Sequence, residues 1–95
     1  MKNILDIDDV IACSCLENYE NQILVIKSES LDKNYRNAAN QLFTAFSGFG
    51  CDPHKMGTAV YGEFLIDGEE TRFERSDFLG IVKPDALAEW KNQYI

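Results

Sequence analysis

Every cysteine and the single histidine of this 95-residue chain fall into two tight pairs. Cys13-Ser14-Cys15 is a C-x-C step, and Cys51-Asp52-Pro53-His54 is a C-x-x-H step. Together they offer three thiolates and one imidazole, a donor set that structural zinc accepts in tetrahedral geometry. Four protein ligands leave no open coordination position, so such an ion would hold structure and not catalyse. A gap of 35 residues separates the pairs, and zinc bridging them would pin the N-terminal segment to the loop that carries Cys51. Two other readings stand beside this one. Free cysteine often behaves as a small buried hydrophobe, and a C-x-C dithiol can be redox-active, although no thioredoxin-like βαβ pattern accompanies it here. The odd number of cysteines excludes a complete disulfide framework within one chain.

The elements that must position these residues are short. The length suits one domain, residues 1–95, with a modest core. Ile4 to Leu16 alternates apolar residues and acids, which predicts a first strand. Gln22 to Lys27 (QILVIK) is a β-branched run of strand length. From Asp32 to Phe46, the residues Tyr35, Ala38, Ala39, Leu42, Phe43, Ala45 and Phe46 recur at three- and four-residue steps, which predicts a helix capped by Ser30 or Asp32 and ended by Gly48. Thr58 to Asp77 alternates around Asp67-Gly68, a two-residue hairpin signal, with Thr71 to Arg75 as the return strand. Pro84 suits a first helical position, and Leu87, Trp90 and Tyr94 lie on one face of a terminal helix. The expected fold is α+β: an antiparallel sheet of about four strands with two helices, stapled by a structural zinc.

Charge narrows the partners. Sixteen acids against nine Lys and Arg give a formal net charge of −7, with no basic cluster. Binding a phosphate backbone requires cations that displace its counterions, so autonomous nucleic-acid binding is not expected. The segment from Glu63 to Asp77 holds six acids against two arginines, a net −4. Glu63, Asp67, Glu69, Glu70, Glu74 and Asp77 are therefore the candidate contact residues for a protein with a basic surface, with Asp6, Asp8 and Asp9 as a second acidic group. The spacing of those three aspartates matches no calcium loop, and they read as a solvated strand end. No nucleophile with a base can be assembled, so an enzyme is not expected. No apolar run approaches the roughly 18 residues of a membrane span, and acids interrupt the N-terminus where an export signal would be apolar. The expected location is the cytoplasm.

The stretch QLFTAFSGFGCDPHKMGTAVYGEFLIDGEETRFERSDFLG, Gln41 to Gly80, resembles the large-polyvalent-protein-associated domains carried by phages and conjugative elements of Gram-positive bacteria. The likeness lies in the G-F-G-C-x-P loop, the G-T-A-V-Y-G strand and the D-G-E-E-x-R-x-E-R-S-D-F hairpin. Its acidity and Cys/His set are also similar to a zinc-containing class of anti-CRISPR inhibitor of Cas9. The resemblance implies an inhibitor that binds Cas9 in a bacterial host cell and blocks target DNA loading or cleavage. Cas9 holds its heteroduplex in positively charged channels, which an acidic domain would be attracted to. The alternative is a zinc-stapled accessory protein of a phage or conjugative element that binds another protein.

Overall fold

A computed structural model describes residues 3–11, 19–47 and 59–95. Five short strands, Ile23–Ile26 (β1), Leu42–Ser47 (β2), Ala59–Phe64 (β3), Glu70–Glu74 (β4) and Phe78–Ile81 (β5), precede one α-helix, Pro84–Tyr94 (α1). All strand pairs are antiparallel, in the order β4-β3-β2-β1-β5. The fold is α+β as expected, but with five strands and a single α-helix among the described residues. Among the described residues no helix is long and apolar enough to cross a membrane.

The helix expected over 32–46 is absent. Three 3-10 turns, Ser28–Ser30, Lys33–Tyr35 and Ala38–Asn40, form a strap that leads into β2. The apolar spacing that suggested one helical stripe instead serves two surfaces. Leu42 enters a cluster with Leu5, Val25, Val82 and Trp90, whereas Phe43 and Ala45 enter a cluster with Leu24, Ile26 and Phe78. Alternation between two buried faces is what a central strand requires, and pairing on both edges outweighs local helical preference.

The first strand is also corrected where it is described. Residues 7–9 form a 3-10 turn closed by a capping box: Asp6 Oδ1 accepts from the Asp8 N–H, and Asp9 Oδ2 accepts from the Asp6 N–H. Only the isolated Val10–Val82 bridge continues toward β5. The hairpin between β3 and β4 forms, but through five residues, 65–69, and not two. Asp67 Oδ1 takes the Glu69 N–H at 2.9 Å, and Gly68, at φ +74°, donates its N–H to the Phe64 carbonyl at 2.8 Å. The aspartate's local hydrogen bond extends the turn. Gly62 answers a different need, since a Cβ there would run into the Thr44 carbonyl oxygen and the Phe43 ring.

The sheet is strongly curled. Strands β4 and β5 are its opposite edges, which in a flat sheet would lie roughly 19 Å apart at 4.7–4.9 Å per strand. Yet only residues 75–77 connect them, and four extended steps reach at most about 14 Å. Irregular register in β1–β5, at Val25/Ile26, and in β2–β3, at Ala45/Ser47, supplies the bend. Phe46 is the residue skipped in the second irregularity, and it is 44% exposed. On the concave side Phe73 of β4 meets Phe78 of β5 at 5.7 Å, with Phe43 and Phe64 beside them. Helix α1 packs on the convex side, where Trp90 is fully buried.

Candidate functional site

Cys13, Cys15, Cys51 and His54 all lie outside the described residues. Among the described residues, no group of three or more His, Cys, Asp or Glu is placed to hold a metal ion. Asp6 and Asp9 are occupied in capping their own 3-10 turn, so this acidic group has a local backbone task in place of the expected strand end.

The acids of the hairpin separate into three sets. Glu74 and Asp77 are committed to the short arch 75–77: Asp77 Oδ2 accepts the Glu74 N–H at 2.8 Å, its Oδ1 accepts the Ser30 hydroxyl at 2.9 Å, and Glu74 also pairs with Arg72. Glu63 and Glu70 sit directly opposite each other on β3 and β4, an arrangement that places like charges side by side and opposes pairing of the strands. Asp67 and Glu69, in the loop, face a different feature.

That feature is a groove of about 480 Å³ between the strap and the end of the hairpin. Leu31 and Tyr35 come from the strap, and Phe64 and Phe73 from β3 and β4. Asp32 on one wall and Asp67 and Glu69 on the other give it an acidic rim. The strap wall is fixed by hydrogen bonds to the arch and within itself. Besides the Ser30–Asp77 contact, the Lys27 N–H donates to the Asp77 carbonyl at 2.8 Å, and Arg36 Nε donates to the Leu31 carbonyl at 2.9 Å. Asp32, Glu63, Glu69 and Glu70 enter no ion pair among the described residues.

Comparison with protein-family models, with curated proteins and with solved structures finds no match to this chain.

Sequence does not single out Asp32 and Tyr35 as contact residues. Assigned to a helix, Asp32 serves only as a cap and Tyr35 only as part of an apolar stripe. In the fold Asp32 makes no side-chain cap hydrogen bond and Tyr35 is 56% exposed. The polar run SESLDKN, which contains Asp32 and ends just before Tyr35, is the one sequence signal for a strap of short turns.

Proposed function

We propose that this chain acts by binding, without catalysis, to a protein with a basic surface, and that this partner is the Cas9 effector, whose target DNA loading or cleavage it blocks. One observation carries the binding reading: Asp32 and Glu69, which enter no ion pair among the described residues, rim an open groove while the chain's arginines are engaged elsewhere. Unpaired surface charge of one sign speeds encounter with a complementary surface and selects against partners of like charge. The assignment to Cas9 comes from the resemblance of the chain's acidity and Cys/His set to a zinc-containing class of Cas9 inhibitor. A binding inhibitor should suppress Cas9 cleavage in a dose-dependent way that saturates near one molecule per effector, whereas a catalyst would act far below that ratio. Undiminished cleavage at a large molar excess would overturn the assignment.

Zinc held by Cys13, Cys15, Cys51 and His54 is proposed with it, as a structural staple. The described stretch that follows the first segment pairs with the one that precedes the second, which supports a common site. The Asn21 N–H donates to the Ala45 carbonyl at 2.8 Å, and the Ala45 N–H donates to the Gln22 carbonyl at 3.0 Å. When bound, the ion would supply cross-linking and no reaction chemistry. Protein purified without added metal is expected to hold close to one zinc per chain by elemental analysis. The Cys51→Ser/His54→Ala double variant should hold far less. A metal-free wild type would overturn the site.

A further inference from the structure

We propose, on the strength of that binding reading, that the groove between the strap and the hairpin receives an arginine side chain from an extended basic segment of the partner protein.

Its size sets the first limit. About 480 Å³ lies at the small end of the roughly 300–1,000 Å³ typical of ligand pockets, enough for one or two side chains and too little for a folded element. Its chemistry sets the second. The apolar lining from Leu31, Tyr35, Phe64 and Phe73 suits an alkyl stem and a flat, polarised head group. Phe64 and Phe73 meet edge to face, 5.8 Å apart, so the two rings present different orientations to a guest. Carboxylates on both walls, Asp32 against Asp67 and Glu69, disfavour any anion and favour a cation held between them.

Among cations, arginine matches best. Its guanidinium is planar and weakly hydrated, stacks on aromatic rings, and offers a fork of donors that fits carboxylates. The chain itself uses this chemistry once: the guanidinium carbon of Arg75 lies 3.9 Å over the Tyr19 ring. None of the chain's own three arginines serves the groove's rim, because Arg75 covers Tyr19, Arg72 pairs with Glu74, and Arg36 donates to the carbonyls of Leu31 and Glu29. The strap's hydrogen bonds to Asp77 of the arch mean that this wall needs little ordering on binding.

The test uses the full chain, isotopically labelled, titrated at low salt with a blocked tetra-arginine peptide and with its tetra-lysine counterpart. Amide shifts should concentrate at Leu31, Asp32, Tyr35, Thr71 and Phe73, and tetra-arginine should bind about threefold tighter than tetra-lysine. Tyr35→Ala should weaken tetra-arginine about threefold, and Asp32→Asn/Glu69→Gln about tenfold. Asp85→Asn/Glu89→Gln removes the same charge from α1 and should leave affinity within about twofold. Shifts spread evenly over the acidic surface, equal affinity for the two peptides, or a double rim variant that binds as well as wild type would each overturn the groove. The Cas9 assay separates the two proposals. Wild-type inhibition that the rim variant fully retains overturns the groove alone. Peptide seated in the groove without any Cas9 inhibition overturns the Cas9 assignment alone.

Discussion

Replacing Trp90 with alanine is expected to destabilise the protein by about 3–5 kcal/mol, the usual cost of emptying a buried aromatic site. Trp90 is the chain's single tryptophan and is fully buried, packed among Leu5, Val10, Val25 and Leu42 where α1 meets the convex face of the sheet. Its Nε1 also donates to the Ala38 carbonyl at 2.8 Å, so truncation leaves that buried acceptor without its partner, at a further cost of about 1–3 kcal/mol. Net stability of a domain this size is about 5–15 kcal/mol, and the substitution would consume much of it. Urea unfolding followed by circular dichroism measures the loss, because the fluorescent probe goes with the side chain. Trp90→Phe keeps most of the ring and removes only the donor, so it should recover more than half of the stability. A loss below about 1 kcal/mol for alanine would mean that α1 is not docked as described.

Gln41→Leu should cost a similar amount for a different reason. Gln41 is fully buried and is the one buried polar side chain among the described residues. Its Oε1 accepts the Leu5 N–H at 2.7 Å, and its Nε2 donates to the carbonyls of Leu5 and Ile26, both at 2.9 Å. One side chain thereby satisfies three backbone groups of two segments that do not pair with each other. Leucine fills nearly the same volume and leaves all three groups unsatisfied. At about 1–3 kcal/mol each, the expected loss is about 3–6 kcal/mol once partial relaxation is allowed for. Hydrogen exchange gives the local readout: the Leu5 amide should lose its protection well before the amides of β1. Retained protection at Leu5 would show that another acceptor replaces the amide.

These two residues mark where sequence reasoning succeeded and where it stopped. Trp90 was legible because Pro84, Leu87, Trp90 and Tyr94 carry a complete local signal for a terminal helix, from its starting residue to its apolar face. QILVIK likewise announced β1, and the alternation from Val60 to Ile66 announced β3. Gln41 was not legible, because its partners lie 36 and 15 residues away in sequence and nothing local distinguishes it from a surface glutamine. The same limit explains the missing helix over 32–46. Three- and four-residue spacing looks the same whether it builds one stripe or feeds two opposite faces of a central strand, and only the neighbours decide. β5 went unread since FLGI is four residues long and its pairing with β1 is non-local. At the hairpin, composition marked the acids as one group and could not divide them. Glu74 and Asp77 bind the arch, Glu63 and Glu70 face each other, and Asp67 and Glu69 rim the groove, a division set by register and turn length.

The arch at 75–77 has a consequence for how this fold can vary. Every other described connection between strands has slack: the strap holds several turns, and the hairpin loop already exceeds its minimum. Between Glu74 and Phe78 the backbone is coiled into a single 3-10 turn closed by the Glu74–Asp77 cap, and the shape of that turn sets how the two outermost strands are drawn together. Substitutions there can be absorbed as long as the Glu74–Asp77 cap survives. A deletion removes the turn and its cap together, and so disturbs the positions of Phe73 and Phe78 in the ring cluster they share with Phe43. In this stretch the number of residues, more than their identity, is the quantity that any chain sharing the fold would have to keep.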